Sequence, residues 1–149
     1  MSKEALSYLY RIISRKDYTE YEIREKLHFR FNLEENAIDS LIDKLKKEDL
    51  IDDARFAKMY IEHKILAGYG PLYIIAALSK KGINIDEKYI YDVTGSMDIK
   101  INDIIKDLLM KKRSLTADKY YGFLQRRGFK TDEIKELLME VNKNGSTIF

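Results

Sequence analysis

The chain has 149 residues, with 27 Lys and Arg against 25 Asp and Glu for a formal net charge of +2; the length fits one domain of ordinary size. Apolar residues are 45% of the total, enough for a core and too many for a wholly disordered chain. Seven Gly and one Pro exclude collagen-like and low-complexity chains and argue against a turn-rich sandwich, while zero Cys excludes a disulfide framework, a thiolate zinc site and a cysteine nucleophile. No apolar run approaches the roughly 18–20 residues of a membrane span, and charge returns every few residues at the start, unlike a signal peptide. These features predict a soluble, cytoplasmic protein.

Apolar residues recur at helical spacing along nearly the whole chain. Leu6, Leu9, Ile12 and Ile13 give a first stripe. Thr19 with Glu22 fits a capping box opening a helix with Ile23 and Leu27 four apart. A third helix carries Ile38, Leu41, Ile42 and Leu45, with Asn32 or the acidic pair Glu34 and Glu35 at its start. Asp52 or Asp53 caps the next, Asp53 being preferred, with Phe56, Met59, Tyr60 and Ile61 on its apolar stripe and Phe56 and Ala57 facing inward. Gly68-Tyr69-Gly70-Pro71 punctuates the chain, Pro71 suiting a first helical turn. The helix that follows carries Ile74, Ile75 and Leu78, and Gly82 is its left-handed stop. A short helix follows Asp86 and breaks at Gly95-Ser96. In the last third, Ile101, Ile104, Ile105, Leu108 and Leu109 form one face. Thr116 opens a helix with Tyr120 and Leu124 that Gly128 ends. Thr131 caps a final helix with Ile134, Leu137, Leu138 and Val141.

The middle helix of each group of three aligns with the others. Thr19, Gly70 and Thr116 are equivalent starts; Ile23, Ile74 and Tyr120 follow four residues on, and Leu27, Leu78 and Leu124 four beyond those. Lys80-Lys81-Gly82-Ile83 and Arg126-Arg127-Gly128-Phe129 end the second and third copies. The first runs His28-Phe29-Arg30-Phe31-Asn32-Leu33 without the glycine. The predicted fold is all-α: three tandem three-helix repeats over residues 3–49, 50–96 and 97–142, in an elongated, curved array, with 143–149 a frayed tail.

The segment Leu50-Ile51-Asp52-Asp53-Ala54-Arg55-Phe56-Ala57, then Gly68-Tyr69-Gly70-Pro71 and Leu78-Ser79-Lys80-Lys81-Gly82-Ile83, resembles the central region of the RecX family. Phe123-Leu124-Gln125-Arg126-Arg127-Gly128-Phe129 resembles its third-repeat signature. Ala5-Leu6-Ser7-Tyr8-Leu9 with Ile23-Arg24-Glu25-Lys26-Leu27 fits the first. The resemblance covers roughly residues 5–141. It implies three tandem three-helix repeats and a regulator of the bacterial recombinase RecA. Such a protein binds the groove of the RecA filament on single-stranded DNA and inhibits growth, ATP hydrolysis and strand exchange in recombination and the SOS response. The chain departs from the family in using lysine where many relatives use arginine, and in lacking the first glycine stop.

No catalytic set stands out. His28 and His63 are far apart in sequence, Gly68-Tyr69-Gly70 lacks a preceding strand and a third glycine, and no P-loop occurs. The chain therefore reads as a non-enzyme without cofactor or metal. From Leu109 to Lys130, seven cations (Lys111, Lys112, Arg113, Lys119, Arg126, Arg127 and Lys130) face one acid, Asp118. Cations before a helix-ending glycine suit the helix dipole and need no partner. Equally, Lys80, Lys81, Arg126 and Arg127 form matching basic helix ends that could meet phosphates or an acidic surface. With the resemblance, these residues together with Lys111, Lys112, Arg113, Lys130, Arg55 and Tyr69 become candidate contacts to the RecA filament or DNA. Tyr69 can stack on a base or serve as a plain turn residue, and Arg55 can pair with a nearby acid. Tyr8, Tyr60, Tyr73, Tyr89 and Tyr120 belong with the core. The reading is a monomer whose partner is the RecA filament on single-stranded DNA. Its rivals are a nucleic-acid-binding helical module acting independently of RecA, and a helical scaffold for another protein.

Overall fold

The computed structural model describes residues 2–111 and 117–143 and contains, among them, nine α-helices and no strand. In chain order these are α1 (Lys3–Ile13), α2 (Glu20–Phe31), α3 (Glu35–Lys47), α4 (Asp53–Leu66), α5 (Pro71–Lys80), α6 (Glu87–Ser96), α7 (Ile101–Lys111), α8 (Ala117–Arg126) and α9 (Thr131–Lys143). Two compact units emerge. The first holds residues up to Lys58 with Leu78–Ile83; the second holds Met59–Ala77 with residues from Asn84 on.

In the first unit, apolar residues three and four apart close one core. Ala5 and Leu9 of α1, Ile23 and Leu27 of α2, Ile38, Leu41, Ile42 and Leu45 of α3, and Ile51 are all buried. In the second unit the same spacing buries Ile61 and Ile65, Ile101, Ile105 and Leu109, Tyr120 and Leu124, and Ile134 and Leu137. Tyr120 and Phe129 are the bulkiest side chains buried throughout. Tyr8, Tyr60, Tyr73 and Tyr89 are half-buried, and Met59, expected on the apolar stripe of α4, is 54% exposed.

Several helix boundaries follow the expected chemistry. Thr19 caps α2 in a complete capping box with Glu22, and the Asp86 carboxylate accepts the Tyr89 N–H at 2.9 Å. Other boundaries differ. Asp52, not Asp53, caps α4, accepting the Arg55 N–H at 3.0 Å through its side chain. Asp53 accepts the Glu20 N–H at 3.0 Å and so satisfies the first turn of α2. Asn32 does not open α3; it adopts a left-handed conformation (φ 49°) and ends α2, doing what glycine does in the other copies. Glu34 precedes α3 without a side-chain cap. α6 passes through Gly95-Ser96 and stops where Asp98 turns left-handed (φ 56°), the Ile99 N–H reaching back to the Thr94 carbonyl. Thr131 is the first residue of α9, and the Lys130 carbonyl accepts the first helical bond from Ile134. The expected opening at Thr116, the side chain of Val141 and most of the expected tail (144–149) lie outside the described residues.

Candidate interaction surface

In the second unit, the start of α5 is bonded to the turn that ends α8. The Gly70 N–H donates to the Arg127 carbonyl at 2.7 Å and the Leu72 N–H to the Gly128 carbonyl at 2.9 Å. The backbones meet so closely that a Cβ on Gly70 would lie 2.5 Å from the Gly128 carbonyl carbon and oxygen. Gly128 has φ +92°, and a Cβ there would collide with the Tyr73 backbone nitrogen. Two stretches far apart in sequence thus form one joint.

That joint orients the neighbouring side chains. Tyr69 and Tyr73 stack with ring centroids 4.3 Å apart. The Arg127 guanidinium lies 4.7 Å from the Tyr69 centroid and 5.3 Å from that of Phe123, and the Lys64 ammonium lies 5.3 Å from Tyr69. A cation over an aromatic face is stabilised by about 0.5–1 kcal/mol at an exposed site while keeping its charge. Arg126 is exposed one residue away. Lys130 is committed locally: its ammonium lies 2.7 Å from the Glu87 carboxylate, and that bond raises its pKa. Lys111 is exposed, whereas Lys112 and Arg113 lie outside the described residues.

The first unit carries a parallel joint. The Thr19 hydroxyl at the start of α2 donates to the Lys81 carbonyl at 2.7 Å, and Gly82 (φ +82°) leaves no room for a Cβ beside the Tyr21 side chain. Here the cation is neutralised, the Lys81 ammonium lying 3.3 Å from the Glu22 carboxylate. Lys80 is exposed. Arg55 reaches Asp49, its guanidinium donating to the carboxylate at 3.0 Å and to the backbone carbonyl at 3.1 Å.

The structure therefore brings Tyr69 and Arg127 together with Arg126 exposed beside them, and finds Lys81, Lys130 and Arg55 each paired with a carboxylate. Lys64, Tyr73 and Phe123 complete the cluster and were not singled out from the sequence. Lys64 precedes Tyr69 by five residues in the last turn of α4, and that position was the available signal. His28 lies 2.8 Å from Glu35 and His63 is exposed. Among the described residues no group of three metal-ligating side chains comes together, and no helix is long and apolar enough to cross a membrane.

Residues 52–86 match the family described as RecX, second three-helix domain. The regulatory protein RecX of Finegoldia magna is 35% identical, over 90% of this chain and 70% of the relative. That of Clostridium acetobutylicum is 38% identical over 83% and 62%, and that of Haemophilus influenzae strain PittEE 27% over 93% and 95%. A crystal structure of regulatory protein RecX matches with a TM-score of 0.70 at 25% identity, covering 90% of this chain and 70% of that one. The crystal structure of RecX from Lactobacillus salivarius matches in fold with a TM-score of 0.73 over 93% and 95%, at 24% identity.

Proposed function

Because the chain belongs to the RecX family of regulatory proteins, we propose that it is a negative regulator of a RecA recombinase, binding the groove of the RecA filament on single-stranded DNA. It has no catalytic part of its own and works by inhibiting filament growth, ATP hydrolysis and strand exchange in recombination and the SOS response. The observation that carries this reading is the 35% identity to a regulatory protein RecX over 90% of the chain. The motifs of the resemblance also support it, since Gly68–Pro71 and Arg126–Phe129 are joined by backbone hydrogen bonds.

The mechanism is steric and electrostatic. Arg126 and Arg127 offer charge to phosphates or to acidic protein surface, and a guanidinium held over rings loses little side-chain freedom on docking. Tyr69 is less open to a nucleic-acid base than a turn residue, being stacked on Tyr73 and covered by Arg127. Its role is to hold the arginine. Lys80 and Lys111 are exposed and add to the field; Lys112 and Arg113 belong to the same basic run. Lys81, Lys130 and Arg55 must give up a carboxylate before they can serve a partner, so they rank below the arginines. Several weak contacts to adjacent filament subunits give avidity without a deep pocket.

The experiment is single-stranded-DNA-dependent ATP hydrolysis by the cognate recombinase, with this protein at amounts too low to coat the DNA. A fall in hydrolysis is expected. Unchanged hydrolysis beside tight, salt-sensitive binding to bare DNA would replace this reading with a nucleic-acid module independent of RecA.

A further inference from the structure

α2 ends on His28-Phe29-Arg30-Phe31, the stretch in which the first copy departs from the other two. With Asn32 rather than an earlier glycine as the stop, α2 runs through Phe31 and carries Phe29 on its outer face, 90% exposed. A large apolar ring with almost no burial gains nothing for the fold.

Phe29 lines a groove with Tyr8, Lys16, Tyr18, Lys26 and Arg30. Two rings in it each hold two cations. Arg30 and Arg11 lie 4.6 and 5.5 Å from the Tyr8 centroid, and Lys16 and Lys26 lie 4.7 and 5.3 Å from that of Tyr18. Among the described residues, none of these four cations is ion-paired with a carboxylate. Of the two acids that also line the groove, Glu22 is paired with Lys81 and accepts the Thr19 N–H, whereas Glu25 accepts only the Tyr21 hydroxyl among the described residues and keeps its charge. Four like charges gathered on rings, against the single unpaired carboxylate of Glu25, leave a net positive potential that an anion relieves.

We propose that this groove between α1 and α2 binds single-stranded nucleic acid directly, its phosphates on Arg11, Lys16, Lys26 and Arg30 and one base stacked on Phe29. The combination selects this ligand. An acidic peptide would use the cations and leave Phe29 idle, and a duplex hides its base faces, whereas an unpaired strand offers phosphate and π-face at nucleotide spacing. The site shares no residue with the Arg126 and Arg127 surface and needs no recombinase, so it stands or falls apart from the regulatory reading.

The test uses the full chain and a fluorescent oligothymidylate of about 20 nucleotides, long enough for one groove, with affinity read by anisotropy across a salt series. Phe29→Ala weakens binding about tenfold with little change in salt slope, because stacking carries no charge. Lys16→Glu/Lys26→Glu/Arg30→Glu weakens it further and lowers the slope by about 2, three single-strand phosphate contacts being lost. Both variants alter exposed or half-exposed side chains, and unchanged helicity and melting confirm that they fold. Unchanged affinity in both variants overturns the proposal. So does equal binding of duplex DNA with no Phe29 effect, or competition by polyglutamate as effective as by unlabelled oligothymidylate.

Discussion

The joint between the start of α2 and Lys81-Gly82 and the joint between the start of α5 and Arg127-Gly128 use one backbone device with opposite electrostatic results. In each, a left-handed glycine ends a helix, and the carbonyl just before it accepts a hydrogen bond of 2.7 Å from the start of another helix. In the first the donor is a side chain, the Thr19 hydroxyl; in the second it is the Gly70 backbone N–H. The cation before the glycine then meets different neighbours. Lys81 lies 5.9 Å from the Phe56 centroid but is paired with the Glu22 carboxylate, whereas Arg127 lies over the rings of Tyr69 and Phe123. A carboxylate cancels a charge, and a ring face positions one while leaving it unneutralised. The same place in a repeat can therefore tie its cation into the fold in one copy and leave it unneutralised in another.

The backbone half of this comparison breaks at the glycines. Gly128→Ala should cost about 3 kcal/mol, combining left-handed strain with a clash against the Tyr73 backbone, which cannot turn aside. Gly82→Ala should cost as much, about 3 kcal/mol, since its Cβ would fall 2.3 Å from the Tyr21 Cβ, an atom that side-chain rotation cannot move. Chemical denaturation followed by helicity gives both values, and a loss below about 1 kcal/mol at either glycine would show that its joint yields to the added methyl. Thr19→Val removes the buried hydroxyl that accepts the Glu22 N–H and donates to Lys81, and should cost about 1.5 kcal/mol. Thr19→Ser should recover most of that loss if the hydroxyl is responsible.

A smaller effect sharpens the contrast through pH. The Glu20 carboxyl is held below its ordinary range, first by the hydrogen bond from Lys46 and next by that from Arg24, with burial pushing the other way. Its folded pKa lies below the unfolded one. The stabilisation is therefore complete above the ordinary value of 4.5 and disappears as pH falls through the folded value. Glu20→Gln should cost about 1 kcal/mol at neutral pH and flatten the acid side of the stability profile. An unchanged acid limb would show that the carboxylate contributes nothing.

The helices were legible because burial follows the i, i+4 pairs Ile23–Leu27 and Tyr120–Leu124. The glycine stops at Gly82 and Gly128 were equally plain. Asn32, Asp49 and Asp98 stop helices in the same left-handed conformation but were not read as stops, because Asn and Asp serve as readily in caps and turns. Asp52 and Asp53 could not be ranked locally, since the N–H that Asp53 accepts belongs to Glu20, distant in sequence. The basic residues of the surface were visible as a charge run. Which of them remain unneutralised was not, because Glu22, Glu87 and Asp49 reach their cations only through the fold.

The central claim is that the regulatory contact uses the ring-held end and not the carboxylate-paired one. It is tested most directly by recombinase ATP hydrolysis on single-stranded DNA, titrated with Arg126→Glu/Arg127→Glu and, in parallel, Lys80→Glu/Lys81→Glu. The first pair should weaken inhibition at least about tenfold, the scale expected from losing two desolvated charge contacts, while the second changes it less than about threefold. Equal losses in both, or full inhibition by the arginine variant with its helicity and melting intact, would contradict the account.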